Sequence, residues 1–212
     1  MMTVFNQDLL ISMLGTAAKN IQSQVALLNE LDGKTGDGDH GTTMLRVCHC
    51  VDETLAEKKK DWNKQIDTLG WNIMSQDGGS AGMLMGNLFI GIGSGLTAKE
   101  LKPVQAAAAI RSGVDRVVKF SGAHLGEKTM LDALIPATEA LEKEAQHGSE
   151  IDVMFDSAAK AAREGAEATK AMIPTRGRAK NMGKKAVGFL DPGATSMAIL
   201  FESFNQAIHE KH

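Results

Sequence analysis

Between Leu9 and Leu28 the apolar residues fall three and four apart: Leu9, Leu10, Met13, Leu14, Ala17, Ala18, Ile21, Val25 and Leu28. That spacing lines one face of an α-helix and no face of a strand. The same periodicity returns along nearly the whole chain, whereas alternating Val/Ile/Thr runs are missing. Tyrosine is absent and aromatic residues make up 4%, so a sheet has little to build from. The chain is expected to be all-α.

The first helix should end near Leu31, where Asp32-Gly33 stops it. A second begins after Gly41 and runs through Met44, Leu45, Val47 and Leu55 to the lysines Lys58, Lys59 and Lys60. A third starts at about Trp62 and stops at Gly78-Gly79. The fourth, from Ser80, is rich in glycine and alanine. Glycine costs a helix stability in water, so these residues predict close backbone packing, with Gly91 to Gly95 as a fraying end. Further helices are read from about Val104 to Phe120, Lys128 to Gln146, Asp152 to Met172 and Gly193 to the C-terminus. Short connections and one continuous pattern predict a single domain over residues 1–212, an eight-helix antiparallel up-and-down bundle.

Composition removes several classes of function. Lys and Arg number 23 against 26 acids, a net charge of −3, which argues against nucleic acid and membrane surfaces. No apolar run reaches the ~18 residues of a membrane span, and MMTVFNQDLL has no basic leader. A cytoplasmic protein is expected. Cys48 and Cys50 are too few for a structural zinc site and read as helix-packing residues.

In an up-and-down bundle the odd connections lie at one end and the even ones at the other. The even connections, EKKKDW, TAKELKP and QHGSEID, are ordinary polar turns. The odd ones are DGKTGDGDHG, QDGGSAG, SGAHLGEKT and TRGRAKNMGKKAVGFLDPGATS. Each is glycine-rich and most carry charge, so the unusual residues from Asp32 to Gly193 should converge on one rim.

Asp32, Asp37 and Asp39 place three carboxylates in one flexible loop, a donor set for a hard cation. An EF-hand fails, because Gly41 and Cys48 stand where oxygen ligands are needed. Mg²⁺, which shares its sphere with water and phosphate, fits better than Ca²⁺. The plain alternative is a turn in which Asp37 or Asp39 caps the next helix. His40-Gly41-Thr42-Thr43 opens one helix and Gly78-Gly79-Ser80-Ala81-Gly82 another, both of the kind that binds phosphate. Arg176, Arg178, Lys180, Lys184 and Lys185 form an acid-free basic run suited to clamping phosphate charge. GRAKNMGKK is no P-loop, having Lys185 where Ser or Thr is required and no preceding strand. Gly91-Ile92-Gly93 opens a dinucleotide fingerprint that Leu96 does not complete.

Together GDGDHGTTM, GGSAG, GEKTMLDALIPA and GRAKNMGKKAVGFLDPGATS closely resemble the nucleotide-binding L subunits (DhaL) of dihydroxyacetone kinases, from about Leu31 to the C-terminus. The resemblance implies an eight-helix barrel holding ADP or ATP at one end through two Mg²⁺ ions. It implies Asp32, Asp37 and Asp39 as metal ligands and, with Arg178, as the catalytic set. Nucleotide contacts would fall on His40, Gly41, Thr42, Thr43, Ser80, Ala81, Ser121, Met130, Arg178, Asp191, Pro192 and Gly193. His40 favours the dihydroxyacetone branch over the fatty-acid-kinase type, which usually reads DGDTG. The implied partners are a separate K subunit that holds the ketose and a phosphohistidine protein of the sugar phosphotransferase system that recharges bound ADP. A homodimer is compatible with it. The alternatives are an ATP-dependent kinase subunit for another small ketose, such as a four-carbon sugar, and a nucleotide-loaded regulatory module.

Overall fold

The computed structural model describes residues 4–57, 61–76 and 78–211. The lysine run 58–60 and Asp77, read above as parts of connections, lie outside the described residues. Helices α1 (Gln7–Ser23), α2 (Val25–Gly33), α3 (His40–Ala56), α4 (Trp62–Met74), α5 (Gly79–Gly95), α6 (Pro103–Ser121), α7 (Leu131–Gln146), α8 (Ile151–Ala168) and α9 (Pro192–Glu210) make up the fold. Each packs on its neighbour in sequence, and α1 touches both α3 and α9, which closes the ring. The protein is all-α and antiparallel as expected. Among the described residues the one sheet pairs Phe5–Asn6 (β1) with Glu100–Leu101 (β2). No helix among them is long and apolar enough to cross a membrane.

The first expected helix is two. Ser23 Oγ donates to the Asn20 carbonyl at 2.7 Å and Gln24 leaves helical geometry at φ −107°, so the apolar stripe continues while the backbone breaks. Beyond the break α2 runs past Leu31, and Asp32-Gly33 forms its last turn rather than its stop. The glycines of α5 pack closely against neighbouring backbone as expected, but Gly91 to Gly95 do not fray. The helix is unbroken to Gly95, and Gly91 and Gly93 are buried. A Cβ on Gly91 would stand 2.5 Å from the Ser112 carbonyl of α6. Glycine is there to admit a neighbouring backbone.

Aromatic side chains fill the end of the barrel away from the odd connections. Phe5 stacks on Phe155 with ring centroids 6.3 Å apart, and Phe155 meets Phe204 edge-on. Trp62 packs against Phe5 and donates its indole N–H to the Ala98 carbonyl at 2.9 Å. With that end plugged, the opposite end is the open one.

Candidate functional site

Asp32 shapes the loop between α2 and α3. Its Oδ2 accepts the backbone N–H groups of Gly38 and Asp39 at 2.9 Å and of His40 at 3.3 Å. Gly38, at φ +80°, permits the wrap. The wrap brings Asp37 and Asp39 beside Asp32, each offering an oxygen within 4.8 Å of the others. Desolvation, then repulsion from Asp37 and Asp32, holds the Asp39 carboxyl above its usual range. Arg178 opposes that shift and forms an ion pair with Asp37.

Four helices, α3, α5, α7 and α9, point their N-termini at this end, and side chains accept first-turn N–H groups at α3 and α9. At α3 the His40 N–H goes to Asp32 and the Thr42 N–H to Asn29 Oδ1 at 3.0 Å. Just ahead of α7 Asp132 accepts the Thr129 and Gly126 N–H groups at 2.7 and 2.5 Å, which shapes the loop and leaves the helix itself without a side-chain cap. At α9 Asp191 Oδ2 accepts the Ala194 N–H at 2.7 Å. Among the described residues α5 has no side-chain cap: Gly78 stands in that position. Its positive end lies at the cavity, which Gly78 to Ala81 line.

These elements surround a cavity of about 490 Å³, ample for a nucleotide-sized ligand. The acids and Arg178 line one part of it, Gly78 to Ala81 the next, and Leu84, Phe120 and Met130 an apolar wall. Asp32, Asp37, Asp39, His40, Thr43, Ser80, Ala81, Ser121, Met130, Arg178, Asp191, Pro192 and Gly193 all line it. Gly41 and Thr42 do not. A Cβ on Gly41 would collide with the Val25 carbonyl of α2, and the Thr42 hydroxyl takes a hydrogen bond from Asn29 at 3.2 Å. Both residues serve the α2–α3 contact.

His40 is 7% exposed, with Nε2 3.0 Å from Ser196 Oγ. Ser196 donates to the Gly193 carbonyl at 2.8 Å, so the ring nitrogen is the donor in this pair and the imidazole carries its hydrogen on Nε2. Burial pulls its pKa down to about 4, and it is neutral. Burial pushes Asp191 the other way, up to about 7. Lys128 is buried among backbone carbonyls; desolvation lowers its pKa, while Asp191 and Asp132 raise it.

Sequence reasoning missed Asn29, Asp132, Lys128 and Ser196. Lys128 and Asp132 lie within the GEKTMLDALIPA motif, which gave their signal. Asn29 and Ser196 occupy unremarkable helix positions, and only the packing exposes their roles.

The DAK2 domain model matches residues 34–206, and the chain belongs to the DAK2 domain family. It is 30% identical over 203 residues to the ADP-binding subunit DhaL of PEP-dependent dihydroxyacetone kinase 1 from Listeria innocua, covering 95% of this chain and 97% of that one. The corresponding subunit from Escherichia coli is 32% identical over 185 residues, 86% and 88% of the two chains. The D-erythrulose kinase of Mycolicibacterium smegmatis is 34% identical over 177 residues, 81% of this chain but 30% of that enzyme. The crystal structure of the C. freundii dihydroxyacetone kinase in complex with AMP-PNP and Mg²⁺ superposes with a TM-score of 0.75 at 25% identity. The match covers 97% of this chain and 35% of that kinase, so the chain spans about a third of its length.

Proposed function

We propose that this chain is the ADP-binding subunit of a dihydroxyacetone kinase, one nucleotide-binding domain that works with a separate ketose-holding K subunit. The carrying observation is the cavity itself, with three converging carboxylates at one side and an apolar wall at the other. The uncapped N-terminus of α5 stands between them. Such a gradient matches a nucleotide: metal-bound phosphates by the acids, phosphate oxygens at α5, base against Leu84, Phe120 and Met130.

Three carboxylate oxygens within 4.8 Å are hard donors and fit Mg²⁺. Asp32, Asp37 and Asp39 would hold two ions together with the phosphates. Bound Mg²⁺ supplies charge neutralisation across the phosphate oxygens. The protein's own part is positioning. Arg178 reaches the same acids from the α8–α9 connection and is placed to share the phosphate charge. Neutral His40, fixed through Ser196, is a rigid hydrogen-bonding wall rather than a proton donor. Phosphoryl transfer then breaks the terminal P–O bond of the nucleotide and forms one to a ketose hydroxyl, whose proton is taken up on the K-subunit side.

The relatives that match over most of their own length are PEP- or PTS-dependent ADP-binding subunits. This supports ADP as a bound coenzyme recharged by a phosphohistidine phosphotransferase protein. The homodimer remains an assembly compatible with this role. The four-carbon reading draws on the erythrulose kinases, 34% and 32% identical over a third of their length. Extensive dialysis separates the donor modes. Retained near-stoichiometric ADP supports the coenzyme; an empty protein that turns over free ATP with a K subunit refutes it. A regulatory module would give no turnover with any K subunit.

A further inference from the structure

Lys128 is 2% exposed, and no step proposed above uses it. It is the one non-glycine residue among those described with positive φ, at 60°. Side chains rarely adopt that conformation unless the surroundings impose it. Its Nζ donates to the Thr169 carbonyl at 2.5 Å and to the Phe189 carbonyl at 2.6 Å. Thr169 follows α8 directly, and Phe189 stands just before α9. One ammonium thus joins the two ends of the long α8–α9 connection.

No carboxylate among the described residues lies within ion-pair distance of that ammonium. A buried charge costs stability unless its donors are satisfied, and an aliphatic side chain would fill the same space without that cost. What the amine adds is the pair of carbonyls it holds together. Two neutral ties lie nearby: the Asp191 N–H to Thr169 Oγ1 at 2.9 Å and the Gly188 N–H to the Lys170 carbonyl at 2.7 Å. Between these ends the connection carries Arg178 to Asp37, and Arg176 to Glu127 and the Gly122 carbonyl. Glu127 adjoins Lys128, so the α6–α7 loop grips the connection both at its base and near its tip.

We propose that Lys128 is a positioning residue whose buried ammonium clasps both ends of the α8–α9 connection and thereby holds Arg178 over the nucleotide site. The consequence for nucleotide rests on the function proposed above; the clasp itself does not. Charge-assisted hydrogen bonds to carbonyls are stronger than neutral ones, so losing this pair should loosen the connection while the helices stay packed.

The test uses the full chain with Lys128→Met, Arg178→Gln and the double variant. Without nucleotide, amide hydrogen exchange in residues 172–190 should rise about tenfold in Lys128→Met, with α1 and α5 unchanged. Dissociation of a fluorescent N-methylanthraniloyl-ADP probe in Mg²⁺ should quicken about tenfold. The double variant should release the probe no faster than Arg178→Gln alone, because both changes remove one function. Unchanged exchange in 172–190, or fully additive release rates, overturns the proposal. If Lys128→Met does not fold, Lys128→Gln keeps one donor and should show the same pattern at smaller size. If the wild type binds no probe, the functional reading fails, and the exchange measurement still decides the clasp.

Discussion

The Arg178 guanidinium, carried on the connection between α8 and α9, forms an ion pair with the carboxylate of Asp37 on the loop between α2 and α3. Residues far apart in sequence therefore share one charge centre at the cavity mouth. Arg178 has 68% of its side chain exposed, and an exposed pair adds little to stability. Arg178→Gln should leave the melting temperature of the nucleotide-free protein within about 2 °C of wild type. Its ADP affinity in Mg²⁺ should fall about tenfold, as expected for one lost charge-assisted contact. Calorimetric melting and titration read both numbers. A large loss of stability with unchanged ADP affinity would make Arg178 structural.

The three aspartates should separate by role. Asp32 accepts three backbone N–H groups, so Asp32→Ala leaves donors unpaired and should cost about 2–3 kcal/mol in denaturant unfolding. Asp32→Asn keeps an acceptor oxygen and should cost about 1 kcal/mol or less. Asp37→Asn and Asp39→Asn relieve like-charge repulsion and should be neutral or slightly stabilising, yet each should impair Mg²⁺-dependent binding. Equal destabilisation by all three alanine variants would contradict the special place of Asp32.

Asp191 gives the stability curve a predictable slope. Burial raises its pKa to about 7 from 3.8, so between those values the folded chain keeps a proton that the unfolded chain releases. Its contribution is complete below 3.8 and is lost as pH rises through about 7. Asp191→Asn cannot titrate. The stability of wild type relative to that variant should fall with rising pH, by at most about 1.4 kcal/mol per unit. Urea unfolding in chelator at about pH 5 and about pH 8 measures it; a difference that grows with pH refutes the assignment.

Gly91 tests the packing of α5. Its missing Cβ leaves room for the Ser112 carbonyl, which would otherwise stand 2.5 Å away. Although alanine is the better helix former, Gly91→Ala should destabilise by about 1–3 kcal/mol through overpacking. A stabilised variant would show that α6 moves aside freely.

Much of this architecture was legible because helical periodicity and connection parity are local signals. The apolar stripe ran from Leu9 to Leu28, and parity alone sent Asp32, Ser80, Ser121 and Asp191 to the same end. The break at Gln24 was not legible, because a stripe reports which face is buried and not whether the backbone is continuous. The close packing of the α5 glycines was legible, but not its extent: Gly91 to Gly95 read as a fraying end because the pattern does not say how far the α6 backbone runs beside them. Gly41 and Thr42 looked like phosphate ligands on the strength of their helix N-terminus. Asn29 had already taken the Thr42 donor from across the helix pair. Lys128 stood inside a recognised motif, but its two carbonyl partners are distant in sequence and only the fold joins them.

On the function proposed above, Asp32, Asp37 and Asp39 bind nucleotide through Mg²⁺ in the open end of the barrel. Isothermal titration of ADP into nucleotide-stripped protein, with Mg²⁺ and with chelator, tests it most directly. One ADP per chain should bind in Mg²⁺, with affinity reduced at least about a hundredfold by chelator or by Asp37→Asn with Asp39→Asn. Equal ADP affinity with and without the metal, or in the double variant, would contradict it.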